Sequence, residues 1–144
     1  MTGDQRHSVS VAGVIVDGQG QALLIQRRDN GHWEPPGGVL ELGEAITAGL
    51  RREVREETGL EVEPERLTGV YKNMSRGIVT LVFRCHWVGG TISETDEAAD
   101  CRWAAPDDVR DLATEAQAIR VLDGLAAGDG QPPAVREHDG QSLL

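Results

Sequence analysis

The sequence predicts an α+β domain, an α/β/α sandwich built on a mixed β-sheet. Three observations carry that prediction. Apolar strand patterns both precede and follow an acidic segment of helical period, and a second amphipathic helix comes after the strands. A chain of 144 residues fits one such domain with a core of its own. Residues 1–126 are assigned to it. Over 127–144, Gly, Pro, Asp and Gln replace apolar residues, so a flexible C-terminal tail is expected there.

Each element has its own signal. Ser8 to Val16 (SVSVAGVIV) is apolar at both alternating sets of positions, as in a strand covered on both faces. Asp17-Gly18-Gln19-Gly20 supplies a turn, and Ala22 to Arg28 reads as the returning strand. Asp29 to Gly38 is a loop rich in Gly and Pro. The main helix is expected from Glu44 to Thr58. Gly43 frees its entry, Glu44 complements its positive end, and Gly59 suits a left-handed stop.

Ile46, Leu50 and Val54 form an apolar row for packing on the sheet, while Ala48, Arg51 and Arg55 face water. Gly49 costs about 1 kcal/mol relative to alanine in mid-helix, which points to a close approach by loop backbone or phosphate. Leu67–Asn73 and Ile78–Val88 read as strands, with Val79, Leu81, Phe83, Cys85 and Trp87 on one face of the second. A short strand is expected around Cys101–Ala104, a helical turn at Pro106, and a last helix over Thr114–Ala126. Its inner stripe is Ala118, Val121, Leu122 and Leu125.

Composition narrows the function. A formal charge of −10 with no basic stripe argues against a long nucleic acid as partner. A small phosphorylated ligand remains compatible where cations and a few arginines offset the charge. Cys85 and Cys101 lack metal or redox spacing, and Cys85 sits in an apolar strand as an inert thiol. No stretch has the length of a membrane span or the apolar core of a signal peptide, so a cytoplasmic protein is expected.

The chemistry concentrates between Gly38 and Leu60. Glu53, Glu56 and Glu57 stand at i, i+3 and i+4, which gathers carboxylates on one side of a helix. Their repulsion gives a purely structural helix nothing, whereas a hard divalent cation such as Mg²⁺ removes it. Gly38, Glu44, Arg52, Glu53, Val54, Glu56, Glu57, Gly59 and Leu60 match, position for position, the pattern Gly-x5-Glu-x7-Arg-Glu-(Ile/Leu/Val)-x-Glu-Glu-x-Gly-(Ile/Leu/Val). Chance agreement in one window is roughly one in several billion. In these residues the chain resembles the Nudix hydrolases.

The resemblance implies the Nudix fold and hydrolysis of a nucleoside diphosphate linked to some group X, by attack of water on phosphorus. It implies Mg²⁺, with Mn²⁺ as substitute, held by Glu53, Glu56 and Glu57 and by a backbone carbonyl, that of Gly37. The general base is a helix glutamate (Glu56 or Glu57) or a downstream loop acid. For the latter Glu97 is the candidate, with Glu94 and Asp96 beside it. Arg28 is expected to contact phosphate, with Arg27 as the alternative and Gly38 alongside. Trp33, Tyr71 and Phe83 are the aromatics considered for stacking a base, Phe83 being read as core.

Two departures are visible. Pro35 stands where relatives commonly carry an apolar side chain, and the downstream proline of many ADP-ribose hydrolases is missing between Pro64 and Pro106. A nucleoside triphosphate is the first substrate guess, and a non-catalytic nucleotide sensor on the same fold is the alternative. Homodimers are common in the family.

Overall fold

A computed structural model of the chain describes residues 5–93 and 95–144. Within them the strands are β1 (Ser8–Ile15), β2 (Ala22–Arg27), β3 (Trp33–Glu34), β4 (Gly37–Val39), β5 (Leu60–Asn73), β6 (Ile78–Gly90), β7 (Ala98–Ala104) and β8 (Ala134–His138). The helices are α1 (Ile46–Thr58), α2 (Pro106–Leu112) and α3 (Glu115–Ala126). A mixed five-stranded sheet has the order β4-β1-β6-β5-β8, and a second sheet the order β3-β2-β7.

The doubly apolar pattern of β1 has its explanation in the layers on either side. Val11 and Ile15 pack with Leu50 and Val54 of α1, whereas Ala12 and Val14 pack with Val121 of α3 and Val109 of α2. Leu50, Val54 and Val121 are fully buried, and each such side chain stabilises the fold by about 1.5–3 kcal/mol. The layered α/β/α arrangement predicted from the sequence is the one observed. Ile46 does not share this packing. It opens the helix and is 42% exposed.

The α1 termini differ in how well they were anticipated. Gly59 adopts φ 83° and its N–H donates to the Arg55 carbonyl, as a left-handed cap should. The N-terminus lies two residues later than expected, with Ala45 as an N-cap that offers no side-chain bond. Glu44 turns instead to Arg52. The nearest groups at Gly49 are the Leu40 side chain and the Glu44 carboxylate, not loop backbone.

The expected β1–β2 hairpin does not form as such. A single bridge, Val16 with Ala22, joins the two strands. Beyond it, β1 runs parallel to β6 over eight residues, and β2 pairs antiparallel with β7. These ladders give both strands more partners than a two-stranded hairpin offers. The β5 strand also begins earlier than its apolar pattern suggested, because its irregular stretch around Pro64 falls at a register shift against β6.

The flexible tail expected over 127–144 is replaced in part by a strand. Ala134–His138 pairs parallel with Gly69–Asn73 of β5. Charged groups, not an apolar stripe, fix it. Arg136 donates twice to Asp123 at 2.8 Å, and the same carboxylate accepts the Tyr71 hydroxyl at 2.7 Å. His138 is buried, with Arg120 Nη2 3.1 Å from its Nε2. No helix among the described residues is long and apolar enough to cross a membrane.

Candidate active site

Four pieces of chain meet at one cleft of about 450 Å³: the end of β2 with the two residues after it, strand β4, the C-terminal half of α1, and the loop between β6 and β7. Close approach of backbone makes the meeting feasible. A side chain at Gly37 would run into the Val11 carbonyl of β1. A methyl at Gly38 would lie 2.5 Å from Glu53 Oε2. The paired glycines therefore let β4 sit against both the sheet and the helix carboxylate.

Glu53 and Glu57 are buried, at 8% and 4% exposure. Being four residues apart on α1, they stand one above the other on the same face. Exposed Glu97 from the β6–β7 loop completes the group, with one carboxylate oxygen from each of the three lying within 4.8 Å of the others. Hard oxygen donors at this spacing can hold a divalent cation.

Electrostatics agree with a site built for positive charge. Burial, opposed by the Gly37 N–H that donates to Glu57 Oε1 at 2.7 Å, pushes the Glu57 carboxyl up to about 8; Glu53, Glu34 and Glu97 add to the rise. Burial also raises Glu53, against the pull of Arg52. Arg52 is the organiser of the helix acids. It grips Glu44 at 2.6 and 2.8 Å and reaches Glu53 at 2.9 Å and Glu56 at 3.3 Å. Its guanidinium holds Glu44 down to about 2.

A pH prediction follows for the metal-free protein. Because the folded state holds Glu57 near 8 rather than its ordinary 4.5, its contribution to stability is full below about pH 4.5 and is lost as pH rises through 8. Glu44, Asp29 and Asp139, whose values are lowered, act only in the acid range. His138, also lowered, completes its effect near neutrality. Melting temperature in a chelator should therefore fall between about pH 7 and pH 8.5, and Mg²⁺ should reverse most of the fall. A flat profile in chelator would contradict the assignment.

The sequence-derived candidates occupy distinct places. Glu56 stands outside the close trio and lines an adjoining recess with Thr95, Asp96 and Glu97. A step of 100° separates it from Glu57, enough to swing it outward. Arg27 is tied to Asp29 at 2.7 Å and Glu34 at 3.1 Å. Arg28 donates from Nε to the Thr95 carbonyl at 3.0 Å and makes no ion pair among the described residues. Both arginines line the cleft, as do Gly37, Gly38 and Asp96. Glu94 lies outside the described residues.

The aromatics sort themselves by burial. Tyr71 is wholly enclosed and cannot stack a base. Phe83 packs beside the α1 core, and Trp33 is half-buried beside the α3 core. His86 pairs with Glu65 at 3.0 Å. Burial pushes the Cys85 thiol up to about 12, consistent with an inert group. Asp29, Val39 and Thr95 were missed as site neighbours, and no sequence pattern marks them.

Comparison with known proteins adds an independent line. A relative described as a MutT-like protein from Streptomyces ambofaciens is 54% identical over 138 residues, covering 96% of this chain and 88% of the relative. An ADP-ribose pyrophosphatase of Methanocaldococcus jannaschii is 31% identical, covering 78% and 70%. The crystal structure of an ADP-ribose pyrophosphatase from Streptococcus suis shares the fold with a TM-score of 0.78 at 21% identity, covering 92% of this chain and all of that one. The model of the NUDIX domain matches residues 6–124. With the helix motif, the layered fold and that match in agreement, the chain belongs to the Nudix hydrolase family.

Proposed function

We propose that this protein is a Mg²⁺-dependent pyrophosphohydrolase acting on a nucleoside diphosphate linked to X, a nucleoside triphosphate or related nucleotide. The observation that carries the reading is the convergence of Glu53, Glu57 and Glu97 on one cleft that Arg28 also lines. Glu53, Glu57 and Glu97 would hold the cation, with the Gly37 carbonyl and Glu56 as further ligands. When bound, such a cation offsets the charge of the diphosphate and acidifies a coordinated water. The family's pyrophosphatases support the reaction class.

The chain's own residues divide the remaining work. Arg28 presents its guanidinium to phosphate oxygens, a role for which Arg27 is less suited because two carboxylates already neutralise it. Gly38 leaves room for the diphosphate beside β4. Glu97, exposed and with no side-chain hydrogen bond among the described residues, accepts the proton of the attacking water. Oxygen of that water bonds to one phosphorus, the bridging P–O bond breaks, and the other phosphate departs.

The test is release of phosphate and pyrophosphate from a panel of nucleoside triphosphates, ADP-ribose and nucleotide sugars, with Mg²⁺ or chelator. Metal-dependent release that distinguishes among the compounds is expected. Tight nucleotide binding with no release under Mg²⁺ or Mn²⁺ would overturn the reading in favour of a sensor.

A further inference from the structure

Glu97 must hold its place without help from its own side chain, which makes no hydrogen bond or ion pair among the described residues. Its backbone is held instead. The Arg28 N–H donates to the Glu97 carbonyl at 3.2 Å, and Arg28 Nε donates to the Thr95 carbonyl at 3.0 Å. Those two bonds fasten the loop to the end of β2. A second fastening joins it to α1, through Thr95.

The Thr95 hydroxyl is used in both directions. It donates to the Glu57 carbonyl at 3.2 Å and accepts the Ala98 N–H at 3.1 Å. The first bond reaches the last turn of α1, whose carbonyls lack helical partners. The second closes a short turn around residues 96 and 97, the pair that lines the cleft. One hydroxyl thus connects the main chain of Glu57 to the residue after Glu97. Ala98 is buried, which anchors the far side of the turn. Ser93 N–H adds a bond to the Thr58 carbonyl at 3.1 Å.

We infer that Thr95 is a positioning residue for the reaction: its hydroxyl ties the acid loop to the end of the motif helix and so fixes the Glu97 carboxylate against Glu53 and Glu57. This rests on the proposed use of Glu97 in hydrolysis. Valine has nearly the shape of threonine but neither donates nor accepts at that position, and serine keeps the hydroxyl. Loss of an outer partner that orients a metal-site ligand generally costs about 10- to 100-fold in affinity or activity.

The experiment compares Thr95→Val, Thr95→Ser, Glu97→Gln and the Thr95→Val/Glu97→Gln double variant. It measures kcat and KM on whichever compound of that nucleotide panel the wild-type protein hydrolyses fastest with Mg²⁺, and Mn²⁺ affinity by EPR of the free ion. Thr95→Val should lower kcat about 10- to 100-fold, weaken Mn²⁺ binding, and leave KM and the melting temperature near wild type. Thr95→Ser should recover most of both losses. The double variant should be no worse than Glu97→Gln alone, because Thr95 acts through Glu97.

An intact Thr95→Val beside a damaged Glu97→Gln would overturn this inference and leave the proposed reaction standing. Equal damage in the valine and serine variants, or full additivity in the double variant, would also overturn it. A Glu97→Gln enzyme equal to wild type would instead remove the loop acid from the reaction, and the role of Thr95 with it.

Discussion

Glu57→Gln should cut turnover by about a thousandfold or more while making the metal-free protein more stable at alkaline pH. The two changes have one cause. Glutamine keeps the size of the side chain, and its amide oxygen can still accept the Gly37 N–H that now bonds to Glu57 at 2.7 Å. It removes the negative charge that burial disfavours, and with it one of the three carboxylates that face the cation position. A generic destabilising substitution lowers both quantities together. Turnover in Mg²⁺ and melting curves in chelator near pH 8.5, read side by side, check the prediction. Retained turnover, or a drop in chelator stability, would refute it.

Gly38→Ala should lower kcat by about a hundredfold at a stability cost of only about 1 kcal/mol. The added methyl would lie 2.5 to 2.7 Å from the three carboxylate atoms of Glu53. That carboxylate is the far end of a side chain, so it can swing aside without moving the backbone. Its displacement separates it from Glu57 and Glu97 and from Arg52, which now holds it at 2.9 Å. Gly37→Ala meets the main chain of β1 instead and should damage the fold itself. Turnover and chemical denaturation of the two variants separate a misplaced ligand from a disrupted sheet.

The parts of the fold that could be read from the sequence are those governed by local pattern. Leu50 and Val54 recur at helical period, the left-handed cap at Gly59 needs no tertiary partner to be foreseen, and β1 alternates two apolar faces because two layers cover it. The two-residue β3 and three-residue β4 lie in a Gly- and Pro-rich stretch, and only their partner strands make them strands. The β8 segment has few apolar residues, and Asp123, more than ten positions away, supplies its anchor. A charged segment held by a distant charge looks like a tail when read locally.

The site divides in the same way. Helical spacing brought Glu53 and Glu57 together on paper, but it also placed Glu56 with them, and side-chain direction then sends Glu56 to the adjoining recess. Glu97 joins from a loop about forty residues further on, where family resemblance supplied a candidate and spacing could not. The choice between Arg27 and Arg28 depended on Asp29, two residues along the chain, and on Glu34, whose proximity to Arg27 appears only once β2 and β3 pair.

The parallel pairing of β8 with β5 also sets an order of assembly. The ladder joins Gly69–Asn73 to Ala134–His138, so a ribosome must have made residue 138 before the large sheet can close. Helix α1, β5, β6 and the Glu97 loop have all been synthesised by then and can pair with one another. The edge of β5 stays uncovered during that interval, with hydrogen-bonding groups available to another chain. The Gly- and Pro-rich stretch 128–133 is the chain that must be made within that interval, between α3 and β8.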